Sequence, residues 1–273
     1  MMVKLLVIKI GNIATSLVLE LLLDERADRK DIEVDVATTG AKMTPGDAER
    51  VLARVNLDEY NLIIYISPNP AIAGPEMIIN ALKGRNAIII GDAPGVKIIK
   101  KLEEAQLGYL FILGDSMIGA RREFLDATEM AIFNAEMLKV LSITGALRLV
   151  QEEIDKAVDA LKKDEKYLPK LVVDTAEAVE AAGFENPYAK AKAMAAYEAI
   201  KLIGKLNVKG CFMVKDAREY IPMVTSAHEL LRMAGIYSDE AREMEKTMDT
   251  LLRKPHSRSG ELLKKRSLME KPS

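Results

Sequence analysis

Small and polar residues follow five apolar segments in the first half of the chain. These turns are Gly11-Asn12, Thr38-Thr39-Gly40, Ser67-Pro68-Asn69-Pro70, Gly91-Asp92-Ala93-Pro94-Gly95 and Gly114-Asp115-Ser116. Backbone N–H groups in such turns, and at the helix N-termini that follow them, bind anions. Two interpretations fit each turn, since Gly, Pro and Asn are also what strand-to-helix geometry requires. Five such turns at one edge of a sheet favour a ligand cleft, although the fold alone does not name the ligand.

The first of these turns differs from the dinucleotide-binding fingerprint. Ile13 and Ser16 stand where a glycine-rich loop that binds NAD(P) has glycine. This disfavours a nicotinamide dinucleotide bound in the usual way. Thr15 and Ser16 fit either of two roles, a helix N-cap or a contact to a ligand phosphate.

Further along the chain, two adjacent arginines occur close to the last turn. Arg121 and Arg122 fit a bidentate contact to phosphate or carboxylate, and fit an interdomain ion cluster with nearby acidic residues equally well. The two histidines, His228 and His256, and the single cysteine, Cys211, do not support a zinc site. We therefore expect no metal.

Alternating strands and helices must position these turns. The sequence predicts strands at Val3–Ile10, Ile32–Ala37, Leu62–Ile66, Ala87–Ile90 and Tyr109–Leu113, with helices between them. This pattern predicts an α/β fold with a doubly wound, mainly parallel sheet. After Arg122 the pattern becomes helical, with short strands expected at Leu171–Val173 and Gly210–Val214. The expected organisation is an α/β ligand-binding domain over residues 1–125. A helical bundle with a small β element and a C-terminal tail would follow over residues 126–273.

Composition narrows the class of partner. The 273 residues carry a net charge of −2 with a pI near 5.9, which argues against a nucleic-acid partner bound through a basic surface. There is no apolar run of membrane-spanning length and no signal-peptide pattern. One cysteine suits a reducing compartment. We expect a cytoplasmic protein that does not associate with a membrane.

Several segments together resemble one protein family. They are Lys9-Ile10-Gly11-Asn12-Ile13, Leu21-Leu22-Leu23-Asp24-Glu25-Arg26-Ala27-Asp28-Arg29, Ser67-Pro68-Asn69-Pro70, Ile89-Ile90-Gly91-Asp92-Ala93-Pro94-Gly95, Met117–Asp126, Phe184-Glu185-Asn186-Pro187-Tyr188-Ala189 and Ser226-Ala227-His228-Glu229. The chain resembles the coenzyme F420-dependent methylenetetrahydromethanopterin dehydrogenases of methane-cycling archaea, from its first strand to His256.

The resemblance implies reversible hydride transfer between methylenetetrahydromethanopterin and the deazaflavin coenzyme F420, a dissociable co-substrate. It also implies a homo-oligomer, expected to be a hexamer, without metal or NAD(P). Carboxylates near the pterin would favour the cationic methenyl product. The candidate catalytic residues are Asp92, Asp115 and Glu129. The candidate F420-binding residues are Gly11, Asn12, Thr15, Ser67, Pro68, Asn69, Gly91, Ala93, Arg121 and Arg122.

A few positions depart from the family pattern. Leu113 stands where lysine is typical and Ser116 where proline is frequent, while Ile10, Ala14 and Ala73 are smaller departures. Loss of a cation beside the cleft would alter affinity for a polyanionic ligand. Two alternatives follow: a non-catalytic or substrate-shifted F420-binding paralogue, and a nicotinamide-linked dehydrogenase, which the Gly11 turn disfavours.

Overall fold

One parallel sheet forms the centre of the fold. A computed structural model of the chain describes residues 2–116 and 124–273. The strands in these residues are β1 Val3–Lys9, β2 Ile32–Thr38, β3 Leu62–Ile66, β4 Ala87–Gly91, β5 Gly108–Ile112 and β6 Lys170–Val173. They pair in parallel in the order β2-β1-β3-β4-β5-β6.

The α-helices fall into two groups. The connections between the first five strands contain α1 Ala14–Leu23, α2 Pro45–Leu52, α3 Ala73–Ala81 and α4 Ile99–Glu104. A 3-10 turn over Ala93–Ile98 precedes α4. The second group is α5 Ala127–Thr144, α6 Ala146–Lys162, α7 Thr175–Ala182, α8 Pro187–Val208 and α9 Ala217–Thr247.

Helices cover both faces of the sheet. Leu5 and Val7 of β1 belong to a core shared with α1, α5, α6 and α8, and Leu6 and Ile8 belong to a core shared with α2 and α3. β3, β4 and β5 are buried at every position, as parallel strands covered on both faces must be. The predicted doubly wound α/β fold is confirmed. Because β1 lies between β2 and β3, the strand order reverses at β1, which makes this the ligand-binding switch point of the topology.

Two predicted details of the second half are corrected. The segment predicted as Leu171–Val173 does not form a separate β element, because β6 pairs with β5 at the edge of the main sheet. Gly108 lets β5 lie close to the residues that begin β6, since a Cβ there would lie 3.1 Å from the Pro169 carbonyl oxygen. The strand predicted at Gly210–Val214 is wrong. Residues Lys209–Met213 form a π-helical turn that continues α8, because so short an apolar run does not distinguish strand from helix.

A glycine bend separates α5 from α6. The helical segment that follows Arg122 in the sequence breaks at Gly145, whose φ of 98° ends α5, and α6 is bent by 67° relative to α5. A Cβ at Gly145 would lie 2.1 Å from the Ala178 carbonyl oxygen, so the bend also allows α7 to pack closely. No single helix in the described residues is long and apolar enough to cross a membrane; α5 and α6 pass that test only as a bent pair.

The segment after α9 is extended and packs back onto the same chain. Two antiparallel bridges, Arg253 with Lys265 and His256 with Leu262, fold it into an irregular hairpin. The His256 side chain is fully buried between Glu25, which follows α1, and Asp155 of α6. The tail thereby joins two separate parts of the helical layer.

Candidate active site

A cleft opens at the carboxyl ends of β3, β4 and β5. It consists of two adjoining cavities, of about 610 Å³ and about 460 Å³, each within the size range of small-molecule sites. The two cavities share five lining residues: Asp92, Pro94, Lys97, Gly204 and Val208. The strand-end turns form one wall, and the C-terminal part of α8 with its π-helical turn forms the other.

The larger cavity, here called the lysine cavity, is lined by four lysines. Lys201, Lys205 and Lys209 recur every four residues and therefore lie on one face of the α8 helix and its π-helical extension, and Lys97 comes from the 3-10 turn. The Lys201 Nζ lies 2.6 Å from Asp174 Oδ1. Among the described residues, Lys97, Lys205 and Lys209 have no ion-pair partner, so this cavity has excess positive charge suited to an anionic ligand.

The smaller cavity, here called the β3-side cavity, has large apolar side chains in its wall. Met43, Ile72 and Phe212 line it, as do Ser116 and Asn207. The Ser116 Oγ and Asn207 Oδ1 atoms are buried and have no hydrogen-bond partner in the described part of the chain. Because a buried polar atom without a partner costs about 1–3 kcal/mol, a ligand with polar groups beside an apolar ring fits this cavity.

Asp92 lies where the two cavities meet. The side chain follows β4, is partly buried, and accepts a hydrogen bond from the Gly114 N–H at 3.3 Å. Burial raises the pKa of Asp92 to about 6, against the opposing effect of hydrogen bonds from the Ala93 and Gly114 backbone. The carboxylate is therefore ionised at neutral pH and titrates close to the physiological range, which suits an electrostatic role.

Asp115 lies beneath the cleft and lines neither cavity. Its side chain is fully buried, and its two oxygens accept hydrogen bonds from the N–H groups of Ala14 at 2.7 Å and Thr15 at 3.0 Å. Burial raises the pKa of Asp115 to about 7, while hydrogen bonds from Thr15 and Ala14 oppose the rise. A ligand does not reach this carboxylate without rearrangement, so the geometry favours a structural contact over the predicted contact with substrate.

The remaining predicted residues divide by position. Pro68, Asn69 and Ala93 line the cleft. Glu129 is exposed in the first turn of α5, and Arg121 and Arg122 lie outside the described residues. Asn12 is partly buried, and four predicted residues are buried without lining either cavity: Gly11, Thr15, Ser67 and Gly91.

Two of these buried residues have identifiable packing roles. A Cβ at Gly11 would lie 2.5 Å from the Met43 Sδ atom and 2.9 Å from Pro68 Cδ, so Gly11 is closed off by its neighbours. A Cβ at Gly91 would lie 2.8 Å from the Ser67 carbonyl oxygen. Close packing of the strand ends accounts for both glycines. Of the two interpretations of these turns, ligand binding and strand-to-helix geometry, the second therefore fits Gly11 and Gly91.

The sequence pattern did not identify the three α8 lysines of the lysine cavity as site residues, although their regular spacing is visible in the sequence. Lys201, Lys205 and Lys209 sit at intervals of four in a helical segment, the pattern of a single charged face. Nothing in the sequence indicated that this face would turn toward strand ends about one hundred residues earlier. Within the described residues, no cluster of three His, Cys, Asp or Glu side chains is arranged to hold a metal ion.

Comparison with known proteins identifies the family. Residues 3–273 match the family described as methylene-5,6,7,8-tetrahydromethanopterin dehydrogenase. The chain belongs to this family. It is 54% identical to the F420-dependent methylenetetrahydromethanopterin dehydrogenase of Methanocaldococcus jannaschii and 52% identical to that of Archaeoglobus fulgidus, with full coverage of each chain. The resemblance found in the sequence is confirmed.

A solved structure from the same family has the same fold. It is described as an F420-dependent methylenetetrahydromethanopterin dehydrogenase in complex with methylenetetrahydromethanopterin and coenzyme F420. The two chains are 46% identical, cover each other completely and superpose with a TM-score of 0.96. This similarity extends through α8 and the tail, the parts for which the sequence pattern was least informative.

Proposed function

We propose that the chain is an F420-dependent methylenetetrahydromethanopterin dehydrogenase. A hydride passes from the methylene carbon of the pterin to C5 of the deazaflavin, which also takes up one proton. The products are the methenyl cation and reduced F420. The full-length similarity to a structure containing both substrates carries this proposal, and the two-part cleft supports it.

The lysine cavity fits the polyanionic part of a deazaflavin. F420 carries a phosphate and a glutamate tail, and lysine binds phosphate as a concentrated positive charge. We assign this role to Lys97, Lys205 and Lys209, which are unpaired in the described residues. Leu113, which stands where lysine is typical of the family, lines the same cavity. The α8 lysines supply positive charge there.

The protein acts on the hydride transfer mainly by alignment. Two bound heterocycles react when their carbons are held in close approach and water is excluded, so no side chain has to exchange a proton with the reacting carbon. In the proposed mechanism, Phe212 and Ile72 contribute apolar surface. The Asp92 carboxylate favours the positive charge that develops on the pterin. Pro68, Asn69 and Ala93 contact the substrates along the strand-end wall.

The proposal extends to assembly and location. A homo-oligomer, expected to be a hexamer from the family resemblance, agrees with exposed apolar side chains on α8 and α9 such as Met194, Ile236 and Tyr237. A single cysteine and F420-linked chemistry agree with the cytoplasm.

An anaerobic assay tests the activity. Methylenetetrahydromethanopterin and F420 are mixed with the purified chain, and loss of the oxidised deazaflavin absorbance is followed. Turnover is the expected result. Binding of F420 without turnover would instead favour the non-catalytic paralogue. Reduction of NAD or NADP in place of F420 would identify a nicotinamide-linked dehydrogenase.

A lysine variant tests the assignment of the cavity. Lys205→Ala removes one unpaired cation from the lysine cavity, and we expect the KM for F420 to rise about tenfold, equivalent to about 1.4 kcal/mol, with little change in kcat. Lys190→Ala is the control, since Lys190 lies near the other end of α8 in an exposed ion pair with Glu180. Equal KM values for the two variants would remove the lysine cavity from the F420 site.

A further inference from the structure

The N-terminus of α1 occupies the position where many α/β proteins bind a ligand's anion. α1 follows β1 at the point where the strand order reverses, and in open α/β sheets the first free N–H groups of such a helix bind phosphate. Of the described residues that line the two cavities, none comes from α1. The first N–H groups of α1 therefore need another acceptor.

A carboxylate from the same chain satisfies them. Asp115 follows β5 and is separated from Ala14 by 101 residues, yet its two oxygens accept the N–H groups of Ala14 and Thr15. The Ser16 N–H donates to the Ile13 carbonyl, and the Ser16 hydroxyl accepts from the Ile13 N–H. The first turn of α1 is thus closed by protein groups.

The described surroundings leave no space for a ligand phosphate at these N–H groups while the Asp115 side chain is in place. Asp115 and Thr15 are both fully buried. Met43 and Pro68 pack directly on Gly11, at the turn where a dinucleotide would approach the backbone. Burial of a carboxylate is unfavourable because it loses its hydrating water, and here two backbone donors offset part of that cost.

The same carboxylate also fixes the loop that follows β5. Gly114 donates to Asp92 and the next residue, Asp115, binds α1, so consecutive residues tie the loop to two different elements. Leu113, Gly114 and Ser116 of this loop line the cleft. Movement of Asp115 therefore displaces both the floor of the cleft and the hydrogen-bond donor of Asp92.

We propose that Asp115 is a built-in substitute for a ligand phosphate at the switch-point helix. It acts as a specificity-determining and positioning residue, because it closes the α1 N-terminus to a nucleotide pyrophosphate while fixing the β5 loop in the cleft. The anionic groups of the substrate then bind elsewhere, and within the described residues the lysine cavity offers unpaired cations for them. The positioning of F420 rests on the proposed function, whereas the closed anion site does not.

Chemical rescue of an Asp115 variant tests whether this carboxylate takes the place of a ligand anion. In Asp115→Ala the vacated space is lined by two free N–H groups, so sodium formate or potassium phosphate should occupy it. We expect the variant to have at least tenfold lower kcat/KM for F420. We expect either anion to raise its melting temperature by several degrees over sodium chloride at equal ionic strength, and to restore kcat/KM about fivefold. Neither anion should affect the wild-type chain in this way.

Two further variants make the result decisive. Asn186→Ala removes a hydrogen-bonding side chain from the N-terminus of α8, far from the cleft, and should show no anion-specific rescue. Asp115→Asn keeps the volume and fills the site, so it should be impaired and not rescued. The proposal is overturned if folded Asp115→Ala does not respond to either anion, or if Asp115→Asn has the kcat/KM of the wild type. The melting experiment uses no F420, so its outcome is independent of the proposed activity.

Discussion

Among the predicted carboxylates, position decides the role of each. Asp92 lines both cavities, Asp115 is buried under them, and Glu129 is exposed on α5. Of the three, Asp92 therefore has the geometry to act on a bound pterin. Its pKa of about 6 means that the carboxylate is mostly ionised at neutral pH and loses its charge on mild acidification.

This charge predicts the pH dependence of the reaction. As the pH falls through about 6, Asp92 becomes neutral and no longer stabilises the developing cation, so kcat/KM for methylene oxidation should fall. Asp92→Asn should lower that value about tenfold at neutral pH and abolish the inflection near pH 6. Asp58→Asn, at an exposed ion pair with Arg85, is the control. A wild-type profile that is flat across this range would contradict the role.

The strand-end residues could be predicted because a local rule places them. Asp92, Ala93, Pro68 and Asn69 follow apolar runs directly, and the ends of parallel strands converge at one edge. The rule does not say which of these residues face the cavity and which pack beneath it. Thr15 and Asp115 contact each other although they are about one hundred residues apart in the sequence, and a local sequence pattern cannot predict such a contact.

At the scale of elements, Gly145 determines how the second layer of helices is arranged. α5 and α6 diverge at 67°, and α7 fits against the bend with the Ala178 carbonyl directly opposite Gly145. Both the positive φ and the close approach exclude a side chain at this position. Gly145 is therefore both a kink between two helices and a point of close helix contact.

Gly145→Ala should therefore strongly destabilise the fold. The left-handed backbone conformation and the overlap with Ala178 together cost about 3 kcal/mol or more, which lowers the melting temperature by about 6 °C or more. Gly84→Ala separates the two effects, since Gly84 has a φ of 77° but no neighbour within 4 Å of an added Cβ. Thermal unfolding should show a much smaller loss for Gly84→Ala. Equal losses would mean that the contact with Ala178 contributes nothing.

Apolar runs bounded by turns on both sides were predicted well, and a short run next to a helix was not. The bounds of β3 matched those predicted, Leu62–Ile66, because five consecutive apolar residues between turns suit a buried parallel strand. The segment at Gly210 is equally apolar but continues α8 as a π-helical turn, where Gly210 packs against Val224. Tertiary packing determines the outcome for such runs, and the sequence supplies no long-range information about that packing.

At the scale of the whole molecule, His256 secures the tail to the body of the protein. Its Nδ1 lies 2.8 Å from Glu25 Oε2 and its Nε2 lies 2.7 Å from Asp155 Oδ2, and its carbonyl accepts from Arg26. Arg29 also approaches Asp155, at 3.5 Å. Burial lowers the pKa of His256, but the hydrogen bonds and charges of Asp155 and Glu25 outweigh burial and the repulsion from Arg29, so the pKa lies above 6.5.

A raised histidine pKa gives stability a definite pH dependence. The protonated form is favoured by folding, so its contribution is complete below the unfolded pKa near 6.5 and is lost as the pH rises through the higher folded value. His256→Gln should lower the melting temperature by about 5–10 °C at pH 6 and by less at alkaline pH. Thermal unfolding across this range provides the measurement.

The other histidine provides a control of opposite sign. Burial lowers the pKa of His228, which packs 4.5 Å from the Phe133 ring, so its protonation destabilises the fold as the pH falls below 6.5. The His228→Gln variant should therefore gain stability relative to the wild type as the pH becomes acidic. A His256→Gln variant whose stability loss does not change with pH would show that folding does not shift the pKa of this imidazole.

The edge position of β6 bears on the order in which the molecule assembles. β6 pairs with β5 only after the chain has passed through α5 and α6, so this pairing closes a loop of about sixty residues. Pairings between distant segments of the chain form late in folding, because the entropy of closing the loop is lost before the new contacts compensate. Asp174, directly after β6, pairs with Lys201 of the lysine cavity. We therefore expect the wall of the cleft that carries the lysines to dock among the later steps of folding, so that the ability to bind an anionic substrate is acquired late.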